Sequence, residues 1–161
     1  MNIRWYRSSD QDSVVGLILP IQQEEFGVKI SLEDQPDLLE VEEFYQQGIG
    51  QFWVAMEAEE VIGCIALKEI GQGQAALRKM FVKAAYRGKE RQVAQRLLEN
   101  LLAWAREKEV TEIFLGTTAQ YLAAHRFYEK NGFQEIAKTS LPNQFPLVLV
   151  DTKFYRLKVV S

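Results

Sequence analysis

The chain has 161 residues, 47% of them apolar and 25% charged, and a formal net charge of −3. These values are ordinary for one globular domain, which at this length buries about two thirds of its extended-chain surface. One cysteine, Cys64, excludes an internal disulfide framework, and one histidine, His125, leaves no histidine–cysteine cluster for a metal. The sequence shows no signal-peptide pattern and no apolar run of membrane-spanning length, so a cytoplasmic protein is expected.

Charge is divided unevenly along the chain. Residues 1–60 hold thirteen acidic and three basic residues, a net of −10, whereas residues 61–161 hold nine and sixteen, a net of +7. Such asymmetry fits two ligands of opposite charge, and it equally fits two solvated faces. The sequence has neither an arginine-rich tail nor a zinc module, so neither nucleic acid nor a membrane is expected as a partner.

Turn residues and apolar periodicity divide the chain into strands and helices. Three successive strands with short joints predict an antiparallel meander, and the next strand–helix–strand unit should be parallel and right-handed. The sequence therefore predicts a single α/β domain over residues 1–161, with a mixed, mostly antiparallel sheet of six to seven strands and about four helices on both faces. Strands are predicted at residues 3–7, 51–57, 61–70, 77–82, 111–117, 133–138 and 147–160, and helices at about 10–25, 36–47, 92–108 and 119–131.

Residues 77–98 combine a short apolar strand, a Tyr-Arg-Gly turn and the start of a helix. A turn that opens a helix presents unpaired backbone N–H groups and the positive end of the helix dipole, which together suit a phosphate. The alternative is an ordinary strand–turn–helix whose basic residues form a solvated face. Seven basic residues surround this turn: Arg78, Lys79, Lys83, Arg87, Lys89, Arg91 and Arg96.

The order of elements and two local motifs resemble the GNAT superfamily of acyl-CoA-dependent N-acetyltransferases. The more specific motif is Ala-His-Arg-Phe-Tyr-Glu-Lys-Asn-Gly-Phe at residues 124–133, which closely matches the family's Ala, three residues, Tyr-Glu-Lys, one residue and Gly-Phe. Tyr121 stands three residues before this Ala, where the family often has Asn. The resemblance covers the whole chain in order of elements, and residues 77–133 in motif detail.

The second motif is the family's pyrophosphate-binding pattern of Gln or Arg, two residues, Gly, one residue, then Gly or Ala. Counted back from the paired Leu97 and Leu98, it falls on Lys-Glu-Arg-Gln-Val-Ala at residues 89–94. Lys89 and Gln92 depart from the pattern, whereas the final Ala fits it. A side chain on Gln92 would crowd the phosphate or resist a left-handed backbone, so this position puts the tightness of cofactor binding in question.

The resemblance implies acetyl-CoA as co-substrate, without a metal. The backbone of residues 80–82 is expected to pair with the pantetheine arm in a splay between the fourth and fifth strands. A backbone N–H near Phe81 or Val82 is expected to face the thioester oxygen. The residues expected to bind acetyl-CoA are Met80, Phe81, Val82, Arg87, Lys89, Arg91, Gln92, Val93, Ala94, Gln95, Tyr121 and Tyr128.

Acetyl transfer to an amine needs a base and an acid. A primary amine, with a reference pKa of about 10.4, reaches the enzyme charged at neutral pH and must lose a proton. By resemblance, Tyr128 is the catalytic acid that protonates the leaving thiolate, in a direct transfer through a tetrahedral intermediate. The base is left open between Glu24, Glu25 and Glu69, which are carboxylates near the expected cleft, and the single histidine.

The function implied is transfer of acetyl from acetyl-CoA to a primary amine of a small molecule or peptide. Glu24 and Glu25 are expected to bind this acceptor, and the acidic residues around them favour a cationic amine if their face lines the cleft.

A second hypothesis is a non-catalytic acyl-CoA-binding or sensing module on the same fold, motivated by Gln92 and Tyr121. An unrelated nucleotide-binding domain is disfavoured, because the Gly-Lys-Ser/Thr phosphate loop is missing. The oligomeric state is open, a homodimer being one of the states considered.

Overall fold

Seven strands form one sheet in the computed structural model, which describes residues 1–88 and 90–159. The strands are β1 (Asn2–Trp5), β2 (Gln51–Glu57), β3 (Glu60–Gly71), β4 (Gln74–Val82), β5 (Glu112–Thr117), β6 (Gln134–Ile136) and β7 (Lys153–Lys158). Their order in the sheet is β1-β2-β3-β4-β5-β7-β6, and only the β4–β5 pair is parallel among the described residues. The predicted meander and the predicted mixed, mostly antiparallel sheet are confirmed.

Four α-helices pack against this sheet in the described part of the chain. They are α1 (Gln11–Pro20), α2 (Val41–Phe44), α3 (Val93–Glu107) and α4 (Leu122–Lys130). A π-helical turn, Ile21–Glu25, directly follows α1. Short 3-10 turns at Pro36–Leu39 and Ala84–Tyr86 precede α2 and α3, respectively.

Two large cores and one small apolar cluster around Phe114 and Phe145 bury the two faces of the sheet. Trp53, Ile65 and Leu67 belong to the core on the α3 and α4 side, which includes Leu97 and Leu101 of α3. Val54, Cys64 and Ala66, which alternate with them along β2 and β3, face the other side, where α1 and α2 cover them. This period of two places both faces of β2 and β3 in contact with helices, so both strands are apolar almost throughout.

The structure differs most from the sequence-based boundaries in two places, whereas other ends shift by up to three residues, as at the starts of β4 and α4. The predicted helix at 36–47 is broken at Glu40, whose φ of −140° and ψ of 43° separate a 3-10 turn from the four-residue α2. The predicted last strand at 147–160 begins only at Lys153, and its final residue lies outside the described residues.

In the segment before β7, exposed residues alternate with residues that face inward, as in a strand, but the segment does not pair with any described strand. Leu147 and Leu149 are exposed, whereas Val148 and Val150 line a cleft beside the sheet. A loop laid along a cleft therefore produces the same period-two pattern as a strand laid on a core, which explains the error in the predicted boundary. None of the helices within residues 1–88 and 90–159 is long and apolar enough to cross a membrane, and the cytoplasmic location stays a prediction.

Leu101→Ala should lower the free energy of unfolding by about 3 kcal/mol, because it leaves a cavity in the core between α3 and the sheet. Leu101 is fully buried, whereas Leu122 is 61% exposed, so Leu122→Ala is the matched control with an expected change within about 0.5 kcal/mol. Urea denaturation of both variants measures the difference. Equal losses from the two substitutions would contradict this account of the core.

Candidate active site

A cleft opens where β4 and β5 part. The two strands pair only over Gln74–Ala76 and Glu112–Phe114, although β4 continues to Val82. The backbone N–H of Lys83 bonds Ile62 O on β3 at 2.8 Å, so the amide groups of Val82 point the opposite way, into the gap. The resulting cleft has a volume of about 1020 Å³. The splay expected from the sequence is thus present beside residues 80–82.

A bulge in β4 shapes the floor of this cleft. Lys79 has a φ of 55°, and the register against β3 shifts between Cys64 and Ala66. The Cys64 thiol donates to the carbonyl of Lys79 at 3.1 Å, which holds the bulge in place. A bulge adds one residue and re-aims the neighbouring side chains, and here Arg78 and Lys79 both line the cleft.

The first turn of α3 borders the opposite end of the cleft. The helical hydrogen bonds begin with Arg96 N, which donates to Gln92 O at 3.0 Å. The N–H groups of Val93, Ala94 and Gln95 belong to the turn before this bond, and all three residues line the cleft. Together with the helix dipole they favour a bound anion.

Gln92 adopts the left-handed backbone that glycine normally supplies. Its φ is 51° and its ψ is 33°, and it forms the N-cap of α3. The departure from the motif therefore preserves the local backbone, at a strain of roughly 1–2 kcal/mol for a residue with a Cβ. The motif's first residue, Lys89, lies outside the described residues.

The expected cofactor-binding arginines have partners on the protein. The Arg87 guanidinium donates two hydrogen bonds to the Glu25 carboxylate, and its Nε donates to Val82 O at 2.7 Å. Arg91 lies over the ring of Tyr86, 4.8 Å from its centroid. Arg87 lines the cleft, whereas Arg91 lies outside its lining. Their roles at the cofactor stay predictions.

One buried hydroxyl in the cleft wall lacks a partner. Thr118 Oγ1 is inaccessible to solvent and makes no hydrogen bond with any described residue. Its backbone carbonyl, by contrast, lies 2.8 Å from His125 Nε2, which holds the histidine ring in the wall and away from the cleft lining. An unpaired buried hydroxyl is costly.

Two tyrosines of the α4 region face the cleft. Tyr128 is buried between Phe133 and Tyr155, with ring centroids at 5.6 Å and 5.9 Å, and its hydroxyl makes no hydrogen bond within the described residues. Burial, followed by the negative charge of Asp151, raises the pKa of Tyr128 well above its usual value, so the hydroxyl is protonated at neutral pH. Tyr121 packs on Phe26 at 5.1 Å, and burial raises its pKa to about 12.

A cluster of charged groups forms the cleft floor beneath the bulge. The side chains of Arg78 and Lys79 are only 11% and 7% exposed, and both approach Asp37 Oδ2, at 3.9 Å and 3.7 Å. The Tyr45 hydroxyl donates to the same oxygen at 2.5 Å, and Lys79 Nζ donates to Gln35 Oε1 at 2.5 Å. Burial lowers the pKa of Lys79 to about 8, although Asp37 opposes this shift.

Asp151 is a cleft residue that sequence reasoning missed. It is partly buried in the loop before β7 and lines the cleft with Tyr128. Burial raises its pKa to about 6, against the opposing positive charges of Arg78 and Lys79. No motif marks this position, and residues 147–160 resemble a strand in sequence, so only the folded loop reveals the carboxylate.

The carboxylates proposed from the sequence lie elsewhere. Glu24, Glu25 and Glu69 are exposed and do not line the cleft. Glu25 pairs with Arg87, and Glu69 Oε1 accepts from Ile49 N at 2.9 Å. The other acidic residues near the acceptor region are likewise exposed, except for Asp37. The carboxylates that the sequence suggests as acceptor ligands or as the general base are therefore not in the cleft with Tyr128.

The chain belongs to the acetyltransferase (GNAT) family, whose sequence profile matches residues 17–133. Among curated relatives, N-acetylaspartate synthetase of Xenopus tropicalis is 35% identical over 102 residues, covering 62% of this chain and 37% of that protein. The chain spans less than half the length of the N-acetylaspartate synthetases that it matches.

Solved structures agree with the family assignment. A GNAT-family acetyltransferase from Staphylococcus aureus Mu50 is 36% identical, with a TM-score of 0.96 and 99% of both chains covered. The PaiA N-acetyltransferase of Thermoplasma acidophilum, solved in complex with coenzyme A, shares the fold at 20% identity, with a TM-score of 0.73 and 98% of both chains covered. The expected family and fold are confirmed, and the expected class of enzyme is supported.

Gln92→Gly should raise the free energy of unfolding by up to about 1 kcal/mol, because glycine adopts the left-handed backbone without strain. Coenzyme A affinity, measured by calorimetry, should stay the same or become tighter. The matched control is Glu99→Gly, at an exposed right-handed position of the same helix, which should lower stability by about 0.5 kcal/mol. A loss of stability in Gln92→Gly as large as in the control would contradict the strain assigned to Gln92.

Proposed function

We propose that the protein is an acetyl-CoA-dependent N-acetyltransferase whose acceptor is a small primary amine that also carries a carboxylate. The observation that carries this proposal is the pair of nearly buried cations, Arg78 and Lys79, on the cleft floor. Asp37 is the one carboxylate within ion-pair distance of these cations among the described residues, and Asp151 acts on them only at longer range. The pair can therefore take a carboxylate of the acceptor as a further partner.

The relatives support an acceptor of this chemistry. The N-acetylaspartate synthetases are named for the acetyl derivative of an amino acid, and their similarity extends over 62–76% of this chain. The cationic acceptor favoured by the acidic sequence region has less support, because Glu24, Glu25 and the other exposed acids of that region lie outside the cleft lining.

The residues of the cleft fit acetyl-CoA as the second substrate. The first turn of α3 offers N–H groups to the pyrophosphate, and the unpaired edge of β4 offers backbone groups to the pantetheine arm. Acetyl-CoA supplies the thioester that is cleaved, and a fixed N–H of β4, with Val82 as the candidate, would stabilise negative charge on the thioester oxygen.

Tyr128 is proposed to protonate the thiolate. Its raised pKa keeps the hydroxyl protonated, but it also makes an isolated proton transfer to a thiolate, with a reference pKa of about 8.5, unfavourable. We therefore infer that the hydroxyl gives its proton to sulfur while it takes one from the newly bonded nitrogen. Such a relay leaves no tyrosinate behind, so the high pKa of Tyr128 carries no penalty.

An acyl-CoA-binding or sensing module remains the second candidate. Gln92 and Tyr121 motivated it, since both depart from the family motifs. Gln92 weakens this hypothesis rather than supporting it, because its left-handed backbone retains the turn that the motif requires. Tyr121 packs against Phe26 and Phe81 as part of the cleft wall, which suits a binding module and an enzyme equally.

Acceptors with and without a carboxylate should differ strongly in rate. L-aspartate, L-glutamate and L-alanine should be acetylated with kcat/KM at least about 100-fold above ethylamine and 1,4-diaminobutane, because the latter two offer no carboxylate to Arg78 and Lys79. Release of coenzyme A thiol, followed with a thiol reagent, measures all five amines on the wild-type protein. Preference for 1,4-diaminobutane would overturn the proposed acceptor class and restore the cationic one.

Tyr128→Phe should lower kcat by about 100-fold or more while coenzyme A affinity stays unchanged, because the substitution removes only the hydroxyl. The matched control is Tyr155→Phe, which removes a hydroxyl that bonds Glu129 at 2.6 Å away from the cleft lining. Calorimetry and the thiol assay separate binding from turnover. A sensing module would show no turnover in the wild-type protein and no change in affinity in either variant.

A further inference from the structure

The geometry points to Asp151 as the general base that takes the proton from the acceptor ammonium. This inference rests on the proposed function, since it concerns the same amine acceptor in the same cleft. It assigns the general base of the reaction. The three carboxylates that the sequence suggests for this role are exposed in the structure, and the ring of the histidine lies in the cleft wall.

Asp151 lies in the same cleft as Tyr128. Both residues line it, and the negative charge of Asp151 contributes to the raised pKa of the Tyr128 hydroxyl, so the two groups are near each other. A Cβ on Gly116 of β5 would lie 2.7 Å from Asp151 Oδ2, so the carboxylate rests directly against β5, in space that only a glycine leaves. A turn fixes the loop, with Asp151 N donating to Val148 O at 3.0 Å.

The carboxylate is available for a proton. Within the described chain Asp151 makes no side-chain hydrogen bond or ion pair, in contrast to Glu25, Asp37 and Glu69, which are all engaged. A partly buried carboxylate without a partner is unfavourable for stability and typical of a functional group. Glu24, Glu25 and Glu69, the other carboxylates considered for the general base, do not line the cleft, whereas Asp151 does.

The charged and titratable groups that face Asp151 come from two elements. Arg78 and Lys79 of β4 stabilise its ionised form, and its own burial opposes ionisation and dominates, which raises the pKa to about 6. From the α4 side, Tyr121 and Tyr128 face it, and both are protonated at neutral pH. Asp151 is therefore ionised at pH 7 yet holds a proton more readily than a solvated carboxylate, as a general base requires.

The proton balance of the transfer is complete with these groups. The ionised Asp151 takes one proton from the ammonium, and the neutral nitrogen forms a bond to the thioester carbon. The C–S bond then breaks, sulfur receives the Tyr128 proton, and the nitrogen's second proton returns to Tyr128. Asp151 releases its proton to solvent, so each turnover yields one amide, one thiol and one proton.

Asp151→Asn tests this role because the amide has the shape of the acid and cannot accept the proton. In the wild-type protein kcat/KM should rise as the pH increases through about 6, where Asp151 ionises. In Asp151→Asn, kcat/KM at pH 7 should fall by about 100-fold or more, with coenzyme A affinity unchanged. Activity should then recover by about tenfold per pH unit toward the pKa of the amine, which deprotonates itself.

The matched control is Glu59→Gln, an exposed carboxylate of the β2–β3 turn outside the cleft lining, whose pH profile should equal that of the wild-type protein. L-aspartate and 1,4-diaminobutane serve as the two acceptors. If only 1,4-diaminobutane is acetylated, the proposed acceptor class fails, while the profile of Asp151→Asn on that amine still decides the role of Asp151. An Asp151→Asn protein with unchanged rate and an unchanged rise near pH 6 would overturn the inference.

Discussion

The parting of β4 from β5 after Ala76 is the constraint on which the rest of the site depends. Parallel strands in the middle of a sheet normally satisfy each other's backbone groups, and leaving these groups unpaired among apolar neighbours is costly. Here the edge of β4 beyond Ala76 remains open while β3 still holds its other edge. The open edge is tolerated where it faces a cleft, and a ligand with amide groups restores the missing partners.

The bulge at Lys79 lies between the expected binding sites of the two substrates. One residue with a φ of 55° bends β4 beside the open edge and directs two cations toward the cleft floor. The donor substrate is thus expected along the backbone of β4, and the carboxylate of the acceptor at the side chains of the residues before and within the bulge. In the proposed complex this single irregularity would set the distance between the two substrates. It is supported by contacts with the buried residues Asp37, Gln35 and Cys64.

The sequence was sufficient for the fold because its signals are local and periodic. The stripe of Val93, Leu97 and Leu101 and the turns at glycine located α3 and the meander to within a few residues. The acceptor side could not be predicted in the same way. Asp151 lies in a loop whose alternation imitates a strand, and the partners of Arg78 and Lys79 come from a segment more than 40 positions away. Contacts over such separations leave no periodic pattern in sequence.

The charges of the cleft suit a zwitterionic acceptor over a limited range of pH. Asp151 is ionised above about pH 6, and Lys79 is charged below about pH 8, since burial shifts the two pKa values toward each other. Between these values the floor presents a cation pair to a carboxylate, and the loop before β7 presents an anion to an ammonium. Under the proposed function, both ends of an amino acid would meet the opposite charge in this interval. Recognition of the acceptor and removal of its proton would then both be strongest near neutral pH.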